Sequence, residues 1–144
     1  MNDYIKERDK YWPVRPELLD AYRDGTHTHE DEDGGMVWWR KGRLHRDGDR
    51  PASIWADGTL WWYKNDLLHR DGDLPAIIYA DGSLEWRKNG LPHRDVDLPA
   101  AILADGSLEW WKNGLLHRDG DLPAIIYADG SLEWRKNGNL VKRR

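Results

Sequence analysis

The 22 residues from His69, HRDGDLPAIIYADGSLEWRKNG, recur unchanged from His117, and the near-copy HRDVDLPAAILADGSLEWWKNG stands between them from His93. His45, His69, His93 and His117 are 24 residues apart, and Trp38, Trp62, Trp86, Trp110 and Trp134 keep the same interval, which marks five units. The Asp-Gly pairs at Asp33, Asp57, Asp81, Asp105 and Asp129 share the period. Units of this size are supersecondary pieces that bury a continuous core only by stacking on their neighbours. The first unit is degenerate: it keeps Asp33-Gly34 and Trp38, but THTHED replaces the apolar run that precedes the turn elsewhere.

Each unit is punctuated like a pair of antiparallel hairpins. In AIIYADGSLEWRKNGLPHR, residues 76–94, Asp-Gly and Asn-Gly are the favoured pairs of two-residue type I′ turns. The runs between turns are about six residues, the usual strand length, and no stretch is long enough for a repeated helix. The expected class is all-β: an elongated antiparallel β-meander of about five 24-residue hairpin repeats. At about 4.8 Å per strand, two strands per unit give a ribbon on the order of 50 Å long. Residues 1–32 form an N-terminal cap and degenerate first half-repeat, with Pro16–Tyr22 expected as a short helix that has Pro at its first turn. Residues 33–144 form the repeat domain and end in a basic tail, NLVKRR.

Turn type sets register, and register sets which side chains meet. With Asp81-Gly82 as the two central turn residues, Tyr79 opposes Leu84 and Ile77 opposes Trp86. Ala76, Ile78 and Ala80 then lie on the other face with Glu85. Across Asn89-Gly90, Trp86 opposes His93 and Glu85 opposes Arg94. The five tryptophans and the four histidines form a structural ladder, with each His beside a Trp and its ring nitrogens directed to backbone or to the following Asp.

Composition narrows the function classes. The chain has no Cys, so disulfides and thiolate metal sites are excluded. A formal net charge of −4 argues against binding driven by nucleic-acid phosphates. No stretch of 18 apolar residues occurs, and residues 1–30 lack the apolar core of a signal peptide, so the expectation is a soluble, cytoplasmic protein.

Three motifs invite chemistry. His-Arg-Asp occurs four times and spells the start of a kinase catalytic loop, but the loop's other parts are missing and an active site is not copied along a ribbon. Asp-Gly-Asp offers oxygen ligands, yet the calcium-loop spacing is absent and local turn hydrogen bonds explain it. His27 and His29, in the acidic THTHEDED segment, are the weak candidates for a metal site. No catalytic residue and no cofactor are expected. Variation between copies is more informative. Beside the constant Trp, one position runs Trp39, Tyr63, Arg87, Trp111, Arg135 and another runs Val37, Trp61, Glu85, Glu109, Glu133. Trp and Arg dominate interface energies, so Trp39, Trp61, Tyr63, Arg87, Trp111 and Arg135 are the candidate partner-binding residues.

The order Tyr-Ala-Asp-Gly, then Trp86, then Asn89-Gly90, resembles MORN repeats, whose hairpins carry Tyr-x-Gly-x-Trp-x-x-Gly-x-x-x-Gly. Leu84 stands where that family has Tyr, and His-Arg replaces His-Gly. The variant type with Trp…Asn-Gly…His-Arg…Pro-Ala, common in viral and bacterial proteins, is closer. The resemblance spans residues 33–138 and implies a protein- or lipid-binding scaffold without an enzymatic role. The leading expectation is a scaffold that binds another protein, in its sharpest form a phage or viral protein that inhibits a host defence protein in the host cytoplasm. An anionic-membrane module using Lys142, Arg143 and Arg144, or a metal-dependent enzyme centred on His27 and His29, are the alternatives. Open sheet edges also allow pairing with a second copy.

Overall fold

A computed structural model of the chain describes residues 3–144. Among the described residues, 11 strands form one antiparallel sheet whose spatial order is the chain order. Each of the five repeats contributes two of these strands, and the terminal strand Asn139–Arg143 is the eleventh. In the third unit they are Ile77–Ile78 and Leu84–Glu85, and the latter pairs onward with Ala101–Ile102 of the fourth. Trp86 interrupts the ladder. Beyond it, Arg87–Lys88 and Leu91–Pro92 form a separate two-stranded ladder, and the same small hairpin recurs beyond Trp38, Trp62 and Trp110. Only in the last unit does the strand Leu132–Lys136 run through the tryptophan, paired with the terminal strand Asn139–Arg143. The all-β meander is therefore present, but each repeat is divided at its Trp into a long-sheet arm and a short outboard hairpin.

The two turns of a unit differ. Asn89 and Gly90 both have positive φ, 50° and 85°, and are flanked by the pair Lys88↔Leu91, which makes the two-residue turn expected of Asn-Gly. At Asp-Gly the expectation is corrected. Tyr79 N–H donates to Ser83 O at 2.9 Å, Gly82 N–H donates to Tyr79 O at 3.0 Å, and Leu84 opposes Ile78. The loop is three residues, Ala80-Asp81-Gly82, with Gly82 at φ 95°. The cause is local: the Asp81 carboxylate accepts the Ser83 N–H at 2.8 Å, which ties Asp81 into the turn and leaves only glycine in the left-handed region. A one-residue slip exchanges the faces. Ala76 and Ile78, rather than Ile77 and Tyr79, share the face of Leu84 and Trp86.

That face is the core. Ile54, Leu60, Leu84, Ile102 and Leu108 are almost fully buried along it, each contributing roughly 1.5–3 kcal/mol on removal from water. The five ladder tryptophans are buried beside them.

Two expected contacts are replaced. Glu85 does not meet Arg94; it pairs with Arg87, two residues on, at 3.1 Å. The histidine does not stack on the tryptophan; the arginine does. Arg94 lies 3.8 Å from the Trp86 ring centroid, and Arg46, Arg70 and Arg118 lie 3.7, 3.8 and 3.8 Å from Trp38, Trp62 and Trp110. A planar guanidinium can cover an indole and still donate in its own plane. Arg94 uses that freedom to hold Asp73 at 2.9 Å and Pro99 O at 3.2 Å. The histidines are occupied elsewhere. His93 Nδ1 accepts the Asn113 N–H of the next unit at 3.0 Å, and Nε2 meets Asp95 at 2.7 Å.

The N-terminal segment contains two short helices, α1 (Asp3–Arg8) and α2 (Pro16–Tyr22). It lies as a strap across the tryptophan face and runs against the order of the repeats. Tyr4 meets Trp110 edge-on at 6.0 Å, Tyr11 meets Trp86 at 6.4 Å, Tyr22 meets Trp62 at 6.0 Å and His27 meets Trp38 at 6.0 Å. One strap ring thus stands over each of four rungs.

Candidate interaction surface

The strap occupies the tryptophan face, so the face that remains is the opposite one. Its inner layer is Ser53, Ile77, Ala101 and Ile125, all buried. Above them lie three rows set by the repeat. One contains Trp61, Glu85, Glu109 and Glu133, a second contains Tyr63, Arg87, Trp111 and Arg135, and a third contains Trp55, Tyr79, Leu103 and Tyr127. Residues two apart in a strand share a face, and the rows pair accordingly.

Those pairs divide the surface into two characters. Toward the C-terminal end they are polar and self-contained. Arg87 holds Glu85 at 3.1 Å and Gly90 O at 3.2 Å; Arg135 holds Glu133 at 2.9 Å and Gly138 O at 3.1 Å. Trp111 donates its indole N–H to Glu109 at 3.1 Å and packs partly against the core. The Glu133 carboxyl is held below the usual carboxylate range: Arg135 and Arg143 outweigh the opposing effect of burial. These arginines fasten their own hairpins.

Toward the second unit the surface is aromatic. Trp55 and Trp61 lie parallel, 1° apart in plane with centroids 5.5 Å apart, and Tyr63 continues the stack at 6.1 Å. Tyr79 meets Trp61 edge-on at 6.3 Å. Trp55 is 51% exposed, and Trp39, one repeat before Tyr63, is 54% exposed. Burial pushes the Tyr79 hydroxyl up to about 12, with Glu85 beside it acting in the same direction, so the phenol stays neutral and able to donate. Burial raises Tyr63 as well.

Of the six candidate residues, Trp61 and Tyr63 are therefore brought together, Trp39 stands out in the open, and Arg87, Trp111 and Arg135 are tied down locally. Trp55 and Tyr79 are additions to that set. The two-residue reading of Asp-Gly put Tyr79 on the tryptophan face, although the period from Trp55 through Tyr79 to Tyr127 was present in the letters.

The remaining candidates separate. His27 pairs with Glu30 at 3.2 Å and His29 with Asp31 at 3.5 Å, on different carboxylates. Among the described residues no group of three or more His, Asp or Glu converges as a metal site. The basic tail is also engaged: Lys142 lies 4.5 Å from the Trp134 ring and 3.5 Å from Asp121, and Arg143 pairs with Glu133 at 3.0 Å. No described helix is long and apolar enough to cross a membrane. No known protein family and no curated protein matches the sequence.

Proposed function

We propose that the protein is a non-enzymatic repeat scaffold that binds another protein through the aromatic end of its outer face. The observation that carries this reading is the stack of Trp55, Trp61 and Tyr63, braced by Tyr79, with Trp55 half open to solvent. Large rings held rigid by one another lose little freedom on binding, and Trp and Tyr lead among residues that dominate interface energies. The neighbouring Glu-Arg pairs supply a polar rim. The MORN-like order of turns and ladder residues supports the same class. In its sharper form, supported by the viral and bacterial character of that repeat type, the partner is a host defence protein and binding inhibits it.

The test uses the full chain as bait in a host-cell lysate, beside a Trp39→Ala/Trp55→Ala double variant that still unfolds cooperatively well above the assay temperature. A partner retained by the wild type and lost by the double variant supports the reading. Equal capture by both, or none by either, rejects this surface. The lipid alternative draws no support from a tail whose Lys142 and Arg143 already pair with Asp121 and Glu133.

A further inference from the structure

A pocket of about 210 Å³ lies between the strap and the second repeat. Val14, Leu18 and Tyr22 of the strap face Leu60, Trp62 and Ile78 of the sheet across it. Arg70, Lys10 and Arg15 also line it, against the single carboxylate of Asp9. It lies beside one rung of the Arg-on-Trp stack, at Arg70 and Trp62. The stacked arginines on either side of this rung each take a carboxylate from the strap: Arg46 has Asp24 at 3.2 Å and Arg94 has Glu7 at 2.5 Å. Arg94 holds Asp73 at the same time, so a stacked arginine in this fold accommodates two carboxylates. Among the described residues Arg70 has Asp49, at 2.8 and 3.1 Å, and Pro75 O at 3.1 Å, the same single-carboxylate set that Arg118 has with Asp97 and Pro123 O, and Arg94 shows the room for a second. The tryptophan beneath Arg70 adds a buried donor. The indole N–H groups of Trp38, Trp86 and Trp110 donate to Thr26, Asp73 O and Asp97 O, whereas those of Trp62 and Trp134 are buried and, among the described residues, have no acceptor; of these two only Trp62 lines the pocket.

We propose that this pocket binds a small monocarboxylate with an aromatic or branched apolar body. The body lies among Val14, Tyr22, Leu60 and Trp62. The carboxylate takes at Arg70 the place that Glu7 takes at Arg94, and the Trp62 N–H is a further donor in the same rung. An apolar cavity of about 150 Å³ accepts benzene, so the size here limits the ligand to one ring or a short branched chain. The site is separate from the outer aromatic face and does not depend on docking there.

The experiment uses benzoate as the probe and benzyl alcohol as its neutral counterpart, by calorimetry and thermal unfolding of the full chain. Expected are saturable one-to-one binding of benzoate, at least tenfold tighter than benzyl alcohol, and a melting temperature that rises with benzoate concentration. Val14→Trp, which fills the pocket from the strap side, is expected to abolish benzoate binding. Independently of that variant's folding, the indole N–H resonance of Trp62 is expected to shift more than the other tryptophan indoles as benzoate is added. Absence of saturable binding, equal affinity for the two probes, undiminished binding by a folded Val14→Trp, or a largest shift at another tryptophan would overturn the proposal.

Discussion

Val96 is the place where one repeat departs from its own rule. The loops after His-Arg-Asp carry Gly48, Gly72 and Gly120 at φ 77°, 80° and 71°, and the third copy carries Val96 at φ 62°. A β-branched residue in the left-handed region costs roughly 1–2 kcal/mol, and Val96, 86% exposed, has little packing to offset it. Val96→Gly is therefore expected to stabilise the fold by about 1 kcal/mol, raising Tm by about 3 °C in calorimetry. An unchanged or lower Tm would show that the loop does not carry this strain. The two classes of tryptophan should separate in urea. Trp86→Ala removes a buried ring and the support of Arg94, and is expected to cost about 3–5 kcal/mol. Trp55→Ala, half in water, is expected to cost about 1 kcal/mol or less. Similar costs at both sites would reject the assignment of inner and outer faces.

Between elements, the link that recurs is from one small hairpin to the next. The Asn65, Asn89, Asn113 and Asn137 N–H groups donate to Nδ1 of His45, His69, His93 and His117 at 3.1, 3.1, 3.0 and 2.9 Å. In the long sheet, Thr59, Ser83 and Ser107 hydroxyls accept the N–H of Ala80, Ala104 and Ala128 one unit on. His93→Phe keeps a ring and removes the acceptor, so it is expected to cost about 1–2 kcal/mol and to speed hydrogen exchange at the Asn113 amide in particular. Unchanged exchange there would mean the bond does not fasten the units. The carboxylates on the other ring nitrogen add an acid sensitivity. The hydrogen bonds from His69, His93 and His117 hold Asp71, Asp95 and Asp119 below the ordinary carboxylate range. A depressed folded-state value means the stabilisation is present above about pH 4 and is lost as pH falls through the folded value. Urea midpoints should therefore fall below about pH 4, and Asp95→Asn should flatten that fall. The two turns also show where the letters sufficed. Asn-Gly was readable because both residues need positive φ. Asp-Gly was misread because the Asp81–Ser83 hydrogen bond leaves only Gly82 in that region, and the resulting slip hid Tyr79.

For the molecule as a whole, the strap is what a local reading could not supply. The period gave the meander and the rows of its surface, and Pro16–Tyr22 was visible as a helix. The placement of Tyr4, Tyr11, Tyr22 and His27 over successive rungs depends on contacts up to 106 residues apart in sequence, from Tyr4 to Trp110, which no local pattern encodes. For the same reason the covered face could not be told from the open one, and the stacking of Arg on Trp stayed hidden because its second partner, Asp49, Asp73 or Asp97, lies 21 residues earlier in another unit. This arrangement has a consequence that the repeat makes testable. The contacts offered to the strap are themselves periodic, so removing one whole period leaves them in register. Excision of residues 93–116 joins Pro92 to His117 and puts Arg118 where Arg94 stood and Trp134 where Trp110 stood. Glu7 then meets Arg118, Tyr4 meets Trp134, and Asp73 keeps a stacked arginine as its partner. The shortened chain is expected to fold as a β-protein with a single cooperative transition. Its urea m-value should fall by about one sixth, since 24 of 144 residues are removed and m follows the surface exposed on unfolding. Excision of 12 residues, 93–104, removes the same kind of sequence but puts the strap half a period out of step, and is expected to leave no cooperative fold. Equal outcomes for the two excisions would mean that stacking of neighbouring units, and not the register of strap on ladder, sets the fold.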